Sequence, residues 1–521
     1  MTDAPSNAPS KPRAAPSPAS SRRALALVVA LATAAVWAPS LGNGFVWDDQ
    51  YDILRSDKLH HARAVVDVFA HHAMWSADQP EVAISTYRPL ALATLAVDWQ
   101  LWHARPAGYH ATNVVLHVLA TLALFLALGT LVDARLAAAI ALLFALHPAN
   151  AEAVAWINGR SEMLALGFGA LALWAARTGR FVAMTLALLA AMLGKETGLI
   201  FAPVCVALTS QRRARALAGA VVALAAYAAL RRFALGAGAL PSSGAAALGA
   251  LGPVWARTTL AALLPWRRAP IELSTWMSSL SPHARAAWAL AGASLAAVAL
   301  ALAAMCARRP PPRDRWLAAV ALAWWLGSIA PTAAIAALDY PWPGLGRWLY
   351  VGLPALFLVA ALALRPLPAR ARAAIAAVVA VLFVVGAERG IATWHDDEAL
   401  YSAMVAETPD DAWAWRALGT VRLAQQRNAD AADCFHHAVV TDRTEEVHAA
   451  YALEAYAWTR LGRCDEAEAQ FRAHPPTPAL KTEDFDAAAR ACRDKALTPT
   501  TRRVKSLHAN GETGRDASTK R

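Results

Sequence analysis

Charge is scarce in this sequence. Asp, Glu, Lys and Arg make up 17% of its 521 residues, against 57% apolar residues. A soluble globular domain sits nearer a quarter charged and half apolar. Apolar stretches recur over most of the first 390 residues, which predicts a polytopic membrane protein. Acidic residues are scarcer than basic ones, for a formal net charge of +11. The Arg excess sits in short clusters between apolar segments. It does not build one basic face with interleaved aromatics, so no nucleic-acid partner is expected. Arg at the ends of membrane segments follows instead from the bias of Lys and Arg toward cytoplasmic loops.

The common chemical fingerprints are missing as well. There is no Walker A loop, no dinucleotide-binding glycine pattern, no H-E-x-x-H and no paired C-x-x-C. No cofactor is called for. His60, His61, His71 and His72 stand near Asp48, Asp49 and Asp52, but without an i, i+4 ligand spacing, and no metal site is assigned. No small-x-small cleavage site follows the first apolar run, so that run is read as a retained anchor.

What is present is a repeating pattern of apolar runs and Arg clusters. Arg22 and Arg23 precede the first run and place the N-terminus in the cytoplasm, so residues 41–110 form the first outer loop. Alternating from there predicts about eleven spans. The segment 245–265 is read as a helix lying on or dipping into the outer face, and the C-terminal region falls outside. On this path Asp48, Asp49, Glu152, Arg160, Lys195, Glu196 and Arg347 all share the outer side. The expected divisions are a flexible cytoplasmic tail (1–23), a multispan membrane domain (24–390), a helical repeat domain (391–498) and a second flexible tail (499–521).

The repeat domain carries a tetratricopeptide pattern. Trp415, Leu418 and Gly419 match its W-x2-L-G start, Ala431, Phe435 and Ala438 its second helix, and Ala467 and Phe471 begin a second copy. Such an array serves as a platform for a protein partner or acceptor, or as a packing module for the last span. Cys205 and Cys306 lie in apolar segments and read as core packing. Cys464 and Cys492 can staple the second repeat to its cap in an oxidising compartment, with Cys434 free or pairing instead.

The outer-face residues have a chemical logic. A carboxylate can deprotonate an acceptor hydroxyl, and Arg or Lys at the membrane surface can hold a phosphate leaving group. Asp48 and Asp49 are the candidates for the first task, with Asp49 favoured as the base and Asp48 as its support. Lys195, Arg347, Arg88 and Arg160 are the candidates for the second. Glu152, Glu196 and His147 are supporting residues, with Glu152 and Arg160 able to pair. His110, Asn113 and His117 share a helix face and read as interhelical hydrogen-bonding groups.

Several motifs occur in a fixed order: "NGFVWDDQYDIL", "YRPLALATLAVDWQLWHARPAGYHATNVVLHVL", "LLFALHPANAEAVAWINGRSEMLA", "AMLGKETGL" and "GRWLYVGLP", followed by the repeats. The set resembles the transmembrane and tetratricopeptide-repeat O-mannosyltransferase family, within the C-type glycosyltransferases. The resemblance implies an all-α, multispan helical bundle with an acidic motif in the first outer loop, Asp48 or Asp49 being the catalytic residue. It also implies a polyprenyl-phosphate-linked sugar donor and a protein hydroxyl acceptor. Two features depart from the family: the repeat array is short, and Gly346 stands where an acidic residue is common. The Ala- and Arg-rich composition points to a bacterial inner membrane, with the repeats in the periplasm. Other readings are transfer to a glycan or lipid, or a non-enzymatic scaffold that binds partners through its repeats.

Overall fold

A computed structural model of the chain describes residues 18–73, 75, 86–209, 212–236, 244–264, 280–308, 313–336, 346–441, 447–474, 490 and 492. All regular structure among these residues is helical. The expected tails fall outside them, except that residues 18–23 form the first turns of helix α1 (Pro18–Trp37). The side chain of Cys306 also falls outside them.

After α1 come α2 (Pro89–Trp102), α3 (Pro106–Leu128), α4 (Ala134–Leu146), α5 (Arg160–Arg177), α6 (Phe181–Gly194) and α7 (Phe201–Leu208). They are followed by α8 (Arg213–Leu235), α9 (Gly244–Leu263), α10 (Pro282–Arg308), α11 (Arg313–Ala336), α12 (Leu353–Ala363) and α13 (Ala369–Thr393). The starts are written in the sequence. Proline opens α2, α3 and α12, where its missing N–H costs nothing. Asp133 caps α4, its Oδ1 accepting from the Arg135 and Leu136 amides at 3.1 and 3.0 Å.

This is a multi-pass membrane bundle. Among the described residues four helices are long and apolar enough to cross a bilayer: Ser20–Gly42, α3, α8 and α13. A fifth crossing results if α4 and Pro148–Val154, bent by 55° at their junction, form one broken span. The sequence predicts about eleven spans, and the helices beyond these four are shorter, carry more charge or are less fully described. Among them α6 and α12 are short apolar helices, and α5 carries charge at both ends. α5 packs against α3, α6 and α7 and is shielded by protein.

Segment 245–265 falls largely in α9. That helix packs along α10 and α11. Ala250, Val254 and Ala262 are buried. The Trp255 indole donates to the Leu326 carbonyl at 3.0 Å, and Trp325 donates to Thr259 Oγ1 at 2.9 Å.

The basic residues expected at the cytoplasmic face converge on one turn. Arg22 donates to the Gly129 carbonyl at 2.8 Å, Arg177 to Thr130 at 3.2 Å and Leu208 at 2.6 Å, and Arg313 to Leu131 at 2.8 Å. These carbonyls lie at or just beyond helix C-termini, where a cation satisfies both the orphan acceptors and the helix dipole.

The C-terminal region is a run of antiparallel helices: α14 (Asp397–Glu407), α15 (Ala412–Ala424), α16 (Asn428–Thr441), α17 (Val447–Arg460) and α18 (Cys464–Ala473). The repeat pattern explains the α15–α16 contact. A Cβ on Gly419 would lie 2.6 Å from the Phe435 ring, so only glycine admits the buried aromatic. Cys464 and Cys492 form a disulfide with a Cα separation of 5.8 Å, and Cys434 is a buried free thiol beside Arg422.

Candidate functional site

The loop after α1 is tied to the far end of the chain. The Asn43 side-chain amide donates to the carbonyls of Ile391 at 3.1 Å and Trp394 at 2.9 Å. The Gly44 amide donates to His395 O at 2.8 Å, and the Trp47 amide to Asp397 Oδ1 at 2.7 Å. Trp47 has a φ of 57°, a left-handed conformation that costs an L-residue about 1–2 kcal/mol. Its indole stacks on Trp156 at 5.0 Å, and Trp156 stacks on Trp394 at 5.6 Å.

The two carboxylates after Trp47 have different surroundings. Asp49 is fully buried, its Oδ2 accepting from the Val46 amide at 3.1 Å and its Oδ1 from the Asn158 amide at 3.2 Å. Burial pushes its pKa well above the usual carboxylate range, against the pull of those two amides. Asp48 lines an open cleft instead. Loss of water around it raises its pKa to about 6, and the nearby Arg347 charge opposes the rise. Asn158 ties the loop together further, since its side-chain amide donates to Asp52 Oδ2 at 3.1 Å.

The cleft encloses about 850 Å³, open solvent included, and gathers residues distant in sequence. Asp48, Arg88, Arg160, Lys195 and Arg347 all line it, with Trp156 and Trp348 as apolar walls. Each of the four cations has a carboxylate partner. Arg88 Nε lies 2.8 Å from Glu196 Oε2, Arg160 Nη1 lies 2.7 Å from Asp98 Oδ2, and Arg347 Nη1 lies 3.3 Å from Glu152 Oε1. Lys195 pairs with Glu162. Buried charges need such partners, because an isolated one costs several kcal/mol to desolvate. Arg347 and Lys195 also face Trp348 at 5.5 and 4.3 Å from the ring centre, where the ring quadrupole attracts a cation.

The expected pairing of Glu152 with Arg160 is not the one formed: Glu152 joins Arg347 and Arg160 joins Asp98. Gly346 explains part of this. A Cβ there would lie 2.8 Å from the Ala149 carbonyl and 3.0 Å from Glu152 Oε2. The bare backbone lets Glu152 approach and accept the Arg347 amide at 3.1 Å.

His147 does not join the cleft. It is fully buried at the bend after α4, with Nε2 3.0 Å from Ala262 O and Nδ1 accepting from the Ala149 amide at 3.1 Å. His110, Asn113 and His117 knit neighbouring elements together. His110 meets Gly44 O at 3.2 Å, Asn113 donates to Trp156 O at 3.0 Å, and His117 meets the Tyr350 hydroxyl at 2.6 Å. His60 stacks on Trp99 and His71 on Trp75. Among the described residues no group of three or more His, Cys, Asp or Glu is placed to hold a metal ion.

Sequence comparison bears out the family resemblance. The chain is 32% identical over 142 residues to the protein O-mannosyl-transferase TMTC3 of Mus musculus, covering 27% of this chain and 15% of that protein. It is 30% identical over 174 residues to Tmtc1 of Drosophila melanogaster, covering 32% of this chain and 20% of that one. To the protein O-mannosyl-transferase F38B6.6 of Caenorhabditis elegans it is 30% identical over 173 residues, or 32% and 25% of the two chains. The matches thus span a quarter or less of these relatives. No protein-family model matches the chain, and no solved structure matches it.

Proposed function

We propose that this protein is a membrane glycosyltransferase that moves a sugar, mannose-like, from a polyprenyl-phosphate donor to a hydroxyl of a protein acceptor. The observation that carries the reading is the cleft, where the half-buried Asp48, with Asp52 beside it, shares one set of walls with four cations from four separate chain segments. The similarity to proteins named protein O-mannosyl-transferases supports the same reaction class.

The acceptor oxygen attacks the anomeric carbon, the bond from that carbon to the phosphate oxygen breaks, and the phosphate leaves with the bonding pair. Asp48 takes the hydroxyl proton. Its raised pKa keeps it basic enough to accept the proton and still ionised at neutral pH, as a general base requires. Arg347, Lys195, Arg88 and Arg160 neutralise the leaving phosphate. Asp49 acts differently from Asp48: buried and held by two amides, it braces the loop. This reverses the order suggested by sequence, in which Asp49 is the base.

The Cys464–Cys492 disulfide favours an oxidising compartment for the repeat domain. The compositional reading of a bacterial inner membrane then puts the repeats in the periplasm, where they can bind an acceptor or partner.

The deciding experiment is transfer from polyprenyl-phosphate mannose to a Ser/Thr-rich peptide by the purified chain. Asp48→Asn should lower kcat about 10²- to 10⁴-fold, the usual worth of a general base, with the fold intact. Wild-type transfer by Asp48→Asn would end the assignment.

A further inference from the structure

We propose that Asp397, at the head of the repeat domain, is a positioning residue for the first-loop carboxylates: by holding the Trp47 peptide N–H it keeps Trp47 left-handed and turns Asp48 into the cleft. The inference rests on the transferase reading above and deepens it.

Two adjacent acids open α14, and only one is needed to cap it. Asp396 does that work, its Oδ1 accepting from the Ala399 amide at 2.8 Å. The Asp397 carboxylate reaches the other way, 2.7 Å from the Trp47 amide across 350 residues of sequence. A bond to an ionised acceptor is about twice as strong as a neutral one, enough to offset the strain of a left-handed tryptophan. The Trp47 indole is held as well. Its neighbours are Trp156, Trp394 at 6.4 Å and Trp413 at 6.5 Å, so the loop before α5, the end of α13 and the repeat all surround one ring. Tyr401, on the same helix as Asp397, lies edge-on to Trp413 at 5.7 Å. Asp48 is the next residue after Trp47, so the Trp47 dihedrals set where its carboxylate points. Asp397 does not line the cleft; it acts through Trp47.

The test uses the full chain in nanodiscs with three variants, Asp397→Ala, Asp397→Asn and Asp396→Ala. Hydrogen exchange is followed in the peptide covering residues 43–52, and transfer is followed with polyprenyl-phosphate mannose and a Ser/Thr-rich peptide. Asp397→Ala should speed exchange at the Trp47 amide at least about tenfold and lower kcat about 10- to 100-fold, the cost of a misplaced catalytic group. The donor KM should stay within about twofold. Asp397→Asn keeps an acceptor oxygen but loses the charge, and should recover part of both losses. Asp396→Ala should lower the melting temperature through the lost cap and leave Trp47 exchange and kcat unchanged. Wild-type exchange in Asp397→Ala would overturn the proposal. So would loss of kcat, donor KM and thermal stability together in both Asp397 variants, which would mark a domain-docking residue. If the wild-type chain transfers no sugar while Trp47 exchange still responds to Asp397→Ala, the transferase reading fails and the clamp stands.

Discussion

Glu152 grips Arg347 at two points: Oε2 accepts the Arg347 peptide N–H at 3.1 Å, and Oε1 lies 3.3 Å from its guanidinium. The guanidinium is thereby fixed at the cleft wall facing Asp48, and it is nearly inaccessible to bulk water. Removing either partner should therefore have a distinct effect.

Arg347→Lys keeps the charge and loses the planar fork. Donor affinity, measured by titration with a polyprenyl-phosphate sugar, should fall about tenfold with the fold intact, one charge-assisted bond being worth ~1.5–3 kcal/mol. Glu152→Gln should instead lower the melting temperature, since a buried guanidinium without its counter-charge costs about 3–5 kcal/mol. Unchanged donor binding in both Arg347→Lys and Arg88→Lys would make these residues purely structural.

The rate should fall in acid as Asp48 takes up a proton. With its pKa raised to about 6, kcat/KM should be flat above neutrality and drop about tenfold per pH unit below 6. Arg347 opposes the rise, so Arg347→Met should move this limb to higher pH. A limb that stays in place in that variant would show that another group titrates.

Gly419 and Phe435 should be sensitive to added volume. Gly419→Val forces the buried ring aside, and overpacking of this kind costs about 1–3 kcal/mol. Calorimetry of the full chain should show a lower melting transition. An unchanged profile would mean that α15 and α16 separate freely.

Topology can be read by thiol labelling. Arg315 and Asp410 are both exposed, and the Arg clusters assign them to opposite sides. Cysteines placed at each should react differently with an impermeant reagent in intact cells. Equal labelling would refute the predicted sidedness.

Much of this cleft is legible in the sequence. Arg88, Arg160, Lys195 and Arg347 each stand beside an apolar run, and the Arg clusters assign them to one side. Their partners Asp98 and Glu162 are not singled out, although a lone carboxylate inside an apolar stretch is the usual sign of a functional group in a membrane. The roles of Asp48 and Asp49 are invisible for a different reason. They turn on one residue, Trp47, adopting a conformation that nothing in its side chain favours. Asn158 escapes notice because its contribution is partly a backbone amide, which any residue could offer. The repeat helices are clearer, because small and aromatic residues at fixed spacing leave few ways to pack.

The bonds joining residues 43–47 to 391–397 also set a timetable. Trp47 leaves the ribosome some 350 residues before Asp397, an interval of roughly 20–70 s at typical elongation rates. Through that time the acidic loop waits on its side of the membrane without its partners. The contacts between the two ends therefore close late, once α13 is in place and α14 folds behind it. A nascent chain halted before Asp397 carries every cleft residue and still lacks the acceptor for the Trp47 amide.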